Sequence, residues 1–211
     1  MKRLFDCVAA SVGLLCLAPA FAVVAVLIKT DSDGPVFFRQ QRIGRGFRLF
    51  WIYKFRTMVQ DAPLVGAPIT SGSDPRITRV GRFLRRTKID ELPQLINVLK
   101  GEMSIVGPRP ELARYVDAFS REYREILQVR PGITDVASLA FRDEATILAG
   151  FANAEEAYVT RILPRKIRLS QEYVRRCSLA SDLVVILKTI SAIWRPTAAL
   201  AAARDEGVGY E

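Results

Sequence analysis

Residues 85–110, RRTKIDELPQLINVLKGEMSIVGPRP, hold two adjacent acids inside a strongly basic stretch. The acids, Asp90 and Glu91, stand at the start of a predicted helix, because the apolar residues after them recur at helical spacing. Basic residues precede the pair, and Arg109 follows it between two prolines that fix the backbone. Two carboxylates among several cations indicate chemistry on a negatively charged group.

The acid pair also has a simpler explanation, since acidic side chains at a helix start interact favourably with the helix dipole. Two observations favour catalysis instead. Arg85, Lys88 and Arg109 exceed what helix capping requires. The chain also has no histidine, no glycine-rich Walker loop and no G-x-S-x-G motif. We therefore predict that Asp90 and Glu91 act on one phosphoryl group, one as nucleophile or metal ligand and the other as base or second ligand.

Carboxylate attack on a phosphoryl group needs nearby cations, because negative charge develops on the phosphoryl oxygens. Arg109 lies on a stiff arm that suits bidentate phosphate binding. Lys54 and Arg56 stand at the end of a predicted strand and are predicted to point to the same site. Arg142, which follows a Pro-Gly turn, is a further candidate for substrate binding.

The composition limits the kinds of partner and cofactor. A net charge of +9 favours an anionic partner, which would be nucleic acid, a phosphorylated substrate or acidic lipid headgroups. Three cysteines without a C-x-x-C motif, and no histidine, argue against zinc. A metal would then be held by carboxylates, which favour Mg²⁺ or Mn²⁺. The mean hydropathy of +0.14 is high for so basic a chain, and the apolar residues concentrate at the N-terminus.

Residues 7–28 carry no charge and follow the basic pair Lys2-Arg3. As a helix this segment would be roughly 33 Å long, about the thickness of a bilayer core. Three interpretations compete, namely a signal peptide, a spanning helix and a re-entrant helix. Pro19 near the centre argues for a break, and basic residues on both flanks favour the same side of the membrane for both ends. We therefore expect residues 1–30 to be a re-entrant anchor that breaks at Pro19.

Two strands are predicted over residues 36–43 and 47–57, joined at the turn 44–46. Basic residues alternate with aromatic ones along both strands, a pattern that also suits single-stranded nucleic acid. A half-buried hairpin beside a membrane anchor explains the same pattern. We favour the hairpin, so nucleic acid is not expected as a partner.

The remainder of the chain is predicted to be helical, with breaks at residues 150–153 and at Pro164. Apolar residues over 179–194 form one helical stripe, which is typical of core packing, and an in-plane membrane helix is the competing interpretation. Residues 197–211 are predicted to be a flexible tail. The expected fold is α+β, with a re-entrant membrane helix, a small β-hairpin, several helices packed at the membrane face, and amphipathic C-terminal helices.

Several ordered motifs resemble those of the bacterial sugar transferase family, the small monotopic phosphoglycosyl transferases that begin lipid-linked glycan assembly. The resemblance extends from about residue 2 to about residue 190. The matching motifs are residues 34–40 (GPVFFRQ), 54–58 (KFRTM), 74–78 (DPRIT), 90–95 (DELPQL), 106–110 (VGPRP) and 130–134 (RPGIT). Motifs that keep this order are far more specific than any one of them alone.

The resemblance implies transfer of a phospho-sugar from a UDP-sugar to undecaprenyl phosphate, with release of UMP and with Mg²⁺ as cofactor. It implies that Asp90 is the covalent nucleophile and also touches the metal, while Glu91 assists as base or orienting group. The cations that fall where the family surrounds the phosphates or the nucleotide are Lys54, Arg85, Arg109 and Arg142.

The resemblance further implies that residues 31–196 form a catalytic domain on the cytoplasmic face of the bacterial inner membrane. Membrane lipids are then further partners, and a homodimer is left open. Two departures from the family pattern are visible. Ala18-Pro19 stands where Ser-Pro is commoner, and residues 135–139 read DVASL where GLAQV is usual. Because the second segment bears on sugar choice, no sugar is carried over.

Two other functions are compatible with the same residues. A membrane-anchored basic module without enzymatic activity would bind anionic lipid or nucleic acid, independently of the two acids and with a steep salt dependence. A phosphatase would use an aspartyl-phosphate and release a water-soluble sugar phosphate.

Overall fold

The structure is a computed structural model that describes residues 1–62 and 74–194. A long helix, α1 (Lys2–Asp31), precedes an antiparallel hairpin of β1 (Phe37–Ile43) and β2 (Leu49–Phe55). One further strand pair, several short helices and two longer C-terminal helices follow. The predicted α+β class is confirmed.

The hairpin forms where the sequence predicts it. Phe37 pairs with Phe55 at one end and Ile43 with Leu49 at the other. A single 3-10 turn over Arg45–Phe47 connects the strands. Phe50 and Ile52 of β2 are buried while Leu49 and Trp51 are exposed, as in a strand with one covered face, and Phe55 at the strand end is buried as well.

The elements after the hairpin are short until the last two helices. They are α2 (Arg79–Thr87), a 3-10 helix (Ile89–Gln94), α3 (Leu95–Lys100), β3 (Ser104–Val106), α4 (Ala113–Ala118), α5 (Ser120–Ile126), β4 (Gly132–Thr134), α6 (Val136–Ala140), α7 (Glu144–Ala149), α8 (Ala154–Ala157), a π-helical turn (Tyr158–Ile162), α9 (Leu163–Arg176) and α10 (Leu179–Trp194). β3 and β4 form a parallel pair that the sequence does not predict.

One face of α1 packs along the body of the molecule. Ala10 joins a core with Phe50 and Val98, and Ile28, near the other end of the helix, joins a second core with Phe55. The opposite face is exposed and apolar. Its residues are Leu4, Val8, Val12, Leu15, Val23 and Val26. By length and composition α1 is a candidate membrane segment.

The helical backbone of α1 is continuous through Pro19, so the structure does not show the break predicted there. Proline removes one helical hydrogen bond. Packing of both halves of the helix on the same body holds them in line despite this loss. The re-entrant path through a membrane stays a prediction.

The C-terminal stripe is not core along its whole length. Val185 and Asp182 on α10 are buried, whereas Leu183, Leu187 and Ile190 are at least half exposed. The core-packing interpretation is therefore wrong for these three residues. The side chain of Trp194 and the predicted tail, 197–211, lie outside the described residues.

The two predicted breaks in the C-terminal half have different outcomes. α7 ends at Ala149 and α8 begins at Ala154, so the break between them is confirmed. At Pro164 the chain stays helical but changes helix type, because the π-helical turn ends at Ile162 and α9 begins at Leu163 with this proline in its first turn. A proline is tolerated there, since the first backbone N–H groups of a helix have no intrahelical acceptor.

Candidate active site

Asp90 and Glu91 lie on the 3-10 helix that follows α2 (Arg79–Thr87). Lys88 ends α2 in the left-handed conformation, with φ of 59°, and this turn redirects the chain. The two acids are only 7% and 9% exposed. Neighbouring residues on such a helix point in different directions, so the two carboxylates face different partners.

The Glu91 carboxylate is held by two cations. The Lys54 ammonium, near the end of β2, donates to Oε1 at 2.6 Å. The Arg109 guanidinium donates to both oxygens, at 3.1 Å to Oε2 and 2.5 Å to Oε1. The structure thus brings three sequence-predicted site residues together from three separate motifs.

Asp90 is placed differently from its neighbour. Its Oδ1 is buried and has no hydrogen-bond partner among the described residues. Burial, helped by the charge of Glu91, raises the pKa of the Asp90 carboxyl above its usual range, although the charges of Lys54, Lys88 and Arg85 oppose this shift. A buried carboxylate that is not directly neutralised is more basic, and a more basic oxygen is a stronger nucleophile.

The pKa of Glu91 shifts the other way. Burial alone would raise it, but the charges of Arg109 and Lys54 and their hydrogen bonds hold the pKa of this carboxyl well below its usual range. The Glu91 charge in turn raises the pKa of Arg109. For Lys54, burial outweighs the attraction of Glu91 and lowers the ammonium pKa. With its pKa lowered, Glu91 favours the ionised form and is a poor proton acceptor.

Arg85 reaches the site from α2. Its Nε donates to the Thr57 hydroxyl at 2.8 Å. Asp90 is the strongest opposite charge acting on Arg85, whose pKa is lowered by burial despite that attraction. α2 closely approaches the segment after β2 at Gly81, where an added Cβ would lie 2.0 Å from the Thr57 carbonyl oxygen. Glycine at this position is what lets α2 present Arg85.

The arm that carries Arg109 is fixed by the β3–β4 pair. The Gly107 N–H donates to the Thr134 carbonyl at 3.1 Å, and the Gly132 N–H donates to the Pro108 carbonyl at 3.0 Å. A Cβ on Gly132 would lie 2.1 Å from the Gly107 nitrogen. Two glycines therefore permit the close backbone approach that sets the position of Arg109.

Arg56 is placed elsewhere than its predicted role suggests. Its guanidinium donates to the backbone carbonyls of Asp33 at 2.5 Å and Ser32 at 2.6 Å, where α1 ends. The side chain is buried and satisfies the C-terminal carbonyls of the helix. These contacts give Arg56 a structural role. Lys54, two residues earlier on β2, instead donates to Glu91.

Arg142 is half-buried in the turn after α6 (Val136–Ala140). Its predicted role in substrate binding stays a prediction.

Sequence reasoning overlooked two residues that support the site. Thr57 is the acceptor that orients Arg85. Asn97, fully buried, accepts from the Tyr53 N–H at 3.1 Å and donates to the Trp51 carbonyl at 2.7 Å, which ties α3 to β2. Asn97 lies on the apolar face of a short helix, and a buried polar residue on such a face is the signal that would have found it.

The residues present fit a magnesium ion in a limited way. No group of three or more metal-binding side chains occurs within residues 1–62 and 74–194. The unpartnered Oδ1 of Asp90 is free to serve as one ligand, whereas both oxygens of Glu91 are engaged by cations. Magnesium sites often use one or two carboxylates, with water and substrate phosphates completing the coordination.

The sequence matches the model of one protein family, described as bacterial sugar transferase, over residues 1–196. A UDP-N-acetylgalactosamine-undecaprenyl-phosphate N-acetylgalactosaminephosphotransferase from Aeromonas hydrophila is 43% identical over 198 residues, which cover 92% of this chain and 43% of that protein. A UDP-glucose:undecaprenyl-phosphate glucose-1-phosphate transferase from Xanthomonas campestris pv. campestris is 39% identical over 203 residues, covering 93% of this chain and 40% of the relative.

Some relatives are closer in length. The exopolysaccharide production protein PSS from Rhizobium leguminosarum bv. phaseoli is 44% identical over 197 residues, covering 90% of this chain and 93% of that protein. The chain spans only about two fifths of the length of the Aeromonas and Xanthomonas proteins. Because the family model covers nearly the whole sequence, the chain belongs to the bacterial sugar transferase family.

Proposed function

We propose that this chain transfers a sugar phosphate from a UDP-sugar to undecaprenyl phosphate and releases UMP. The observation that carries the proposal is the unpartnered, buried Asp90 carboxylate beside a cation cluster held by Glu91. The names of several relatives specify a UDP-sugar and undecaprenyl phosphate, which supports the substrate classes.

In the proposed first step, an Asp90 carboxylate oxygen attacks the phosphorus that bears the sugar. The bond from that phosphorus to the bridging oxygen breaks, and UMP leaves with the bonding electrons. In the second step, a phosphate oxygen of undecaprenyl phosphate attacks the same phosphorus, and the Asp90 carboxylate departs. The products are a lipid diphosphosugar and the free enzyme, so Asp90 is regenerated in each cycle.

Glu91 is proposed to orient cations rather than to move a proton. Its carboxylate fixes Lys54 and Arg109 near Asp90, where their remaining N–H groups can bind phosphate oxygens. Arg85 is held by Thr57 on another side. Mg²⁺, or Mn²⁺ as the alternative, would be held by Asp90 and the substrate phosphates and would neutralise charge on the diphosphate.

The proposed location is the cytoplasmic face of the bacterial inner membrane, with residues 1–30 as anchor and 31–196 as catalytic domain. Contacts at the two ends of α1 support the proposed anchor. Arg3 near its start donates to the Val98 carbonyl at 2.5 Å, and the Ser32 carbonyl after its end accepts from Arg56. Both ends are bonded to one folded body, which favours a re-entrant path over a spanning one.

Release of UMP tests the proposed activity. The full chain in nanodiscs would be incubated with undecaprenyl phosphate, Mg²⁺ and each of several UDP-sugars. We expect UMP and labelled lipid from at least one donor, and no turnover by Asp90→Asn. Failure with every donor would contradict the proposal, and label in a water-soluble sugar phosphate would indicate hydrolysis instead.

A further inference from the structure

A cavity with charged and apolar walls lies at the start of α1, lined by none of the residues that surround Asp90. It measures about 230 Å³. Residues from α1, the hairpin turn, β3, the segment before β4 and α9 meet there. Its charged walls include Lys2, Arg3, Arg45 and Arg130, and Cys177 lies at its edge.

The cavity keeps a positive charge after its internal partners are counted. Lys2 is neutralised by the Asp182 carboxylate, with which it forms an ion pair. Among the residues that the structure describes, Arg3 and Arg130 donate to backbone carbonyls, which carry no net charge. The acceptors are Val98 and Leu99 for Arg3 and Gly101 for Arg130. A carbonyl orients an arginine and leaves its charge available to a ligand.

Arg45 is the freest of these cations. Its guanidinium makes no hydrogen bond or ion pair within the part of the chain that the structure describes. The carboxylate in the wall, Asp6, accepts from the Ser104 hydroxyl at 2.9 Å and the Ile105 N–H at 3.0 Å, so its charge offsets one of the three arginine charges and the net charge stays positive. An anion in the cavity would therefore find one unengaged arginine and two more that retain their charge.

The cavity lies next to the exposed apolar surface of α1 and α10. Lys2 and Asp182 join the first turns of α1 and α10, and both helices carry exposed apolar faces. Leu4 on α1 and Leu183 on α10 lie within one turn of this junction and are exposed. The cavity thus stands where the apolar surface ends, which is the depth of phospholipid phosphates if those faces contact the bilayer.

We propose that this cavity binds the phosphodiester headgroup of an anionic membrane phospholipid, of which phosphatidylglycerol is the simplest example. Three properties of the cavity point to this ligand, namely its positive charge, its volume and the exposed apolar surface beside it. The proposal does not depend on the reaction at Asp90. It concerns a lipid that is bound and not consumed.

Cys177 provides a built-in probe of occupancy, because it is exposed at the cavity edge. The full chain with Cys7→Ser and Cys16→Ser would be placed in nanodiscs of phosphatidylcholine, with or without phosphatidylglycerol. Labelling of Cys177 by the uncharged reagent N-ethylmaleimide would be followed by mass spectrometry. We expect phosphatidylglycerol to slow labelling about fivefold, the scale of one arginine's preference for an anionic surface.

Matched arginine variants separate this site from a general charge effect. Arg45→Gln should abolish the slowing, and its exposed side chain predicts that the fold is retained. Arg48→Gln removes an exposed arginine of the same turn that does not line the cavity, and it should leave the slowing intact.

Three outcomes would overturn the proposal. One is equal labelling rates in both nanodiscs, and another is equal loss of protection in both arginine variants. The third is protection in phosphatidylcholine nanodiscs by inorganic phosphate or undecaprenyl phosphate when phosphatidylglycerol gives none, since the ligand would then be a different phosphate.

Discussion

Glu91 neutralises two cations that are otherwise largely buried, so its charge is needed for stability as well as for the site. The side chains of Lys54 and Arg109 are 17% and 33% exposed. Removing one member of such a cluster leaves the other charges desolvated and uncompensated.

Glu91→Gln should lower the free energy of unfolding by about 2–3 kcal/mol, somewhat less than for a fully buried pair because Arg109 is partly hydrated. It should also reduce kcat, since Lys54 and Arg109 lose their orientation. Urea unfolding and initial rates measure the two effects. Glu125→Gln, which removes an exposed ion pair with Arg175, is the matched control and should change stability by less than about 1 kcal/mol. Equal effects of the two substitutions would contradict the assignment.

Whereas the charge of Glu91 stabilises the fold, the charge of Asp90 should destabilise it. Because its pKa is raised in the folded protein, ionisation favours the unfolded chain. Asp90→Asn should therefore increase the free energy of unfolding by about 1 kcal/mol at neutral pH while abolishing transfer. The advantage of asparagine should shrink as pH falls through the folded-state pKa and vanish below the unfolded-state value of about 3.9. Thermal unfolding of both proteins across this range checks the sign, and a less stable Asp90→Asn at neutral pH would refute it.

Activity should depend on pH through the same carboxyl. Only the ionised form is nucleophilic, so the rate should fall as pH decreases through the raised pKa of Asp90, above the range of an ordinary aspartate. Glu91, with its lowered pKa, should remain charged throughout. A pH–rate profile of the first step measures this, and an acid limb at or below the ordinary aspartate value would contradict the raised pKa.

The sequence predicted those site residues that lie within recognisable motifs. Lys54 and Arg109 were predicted to lie beside the two acids, and both donate to Glu91 in the structure. Arg56 differs because its environment depends on where α1 ends, a long-range contact that no local pattern specifies. Thr57 was missed for the same reason, since its role exists only once α2 packs against it.

At the scale of elements, α2 is positioned by one glycine. Gly81→Ala should push α2 away from the Thr57 backbone, lower the free energy of unfolding by about 2–3 kcal/mol and reduce activity through displacement of Arg85. Gly150→Ala is the control, because a Cβ there meets only an ordinary contact at 3.5 Å. Chemical unfolding and UMP release compare the two variants. A Gly81→Ala protein with normal stability and rate would show that the close approach is unimportant.

The elements that sequence predicted are those with strong local periodicity. Buried and exposed residues alternate over residues 49–52 of β2, and the apolar run of α1 is long and uninterrupted by charge. The β3–β4 pair went unpredicted because each strand has three residues and their pairing depends on contact between Gly107 and Gly132. Short parallel pairing across a long loop leaves no periodic signal.

At the scale of the whole molecule, α1 lies along the body with both ends bonded to it and one apolar face exposed. A cysteine added before Met1 and a second protein with Lys29→Cys, on a cysteine-free background, should both be labelled from the cytoplasmic side. Impermeant maleimide on inverted and right-side-out vesicles makes the measurement. Labelling from opposite sides would establish a spanning helix and contradict the re-entrant anchor.

Covalent chemistry at Asp90, near which β2 and α2 place Lys54 and Arg85, is the central proposal. The full chain would be incubated with a UDP-sugar labelled in the phosphate next to the sugar, without undecaprenyl phosphate, then denatured and analysed by peptide mass spectrometry. We predict a phospho-sugar adduct on the peptide containing Asp90, absent in Asp90→Asn and retained in Asp117→Asn, an exposed acid away from the cluster. An adduct that persists in Asp90→Asn would contradict Asp90 as the nucleophile.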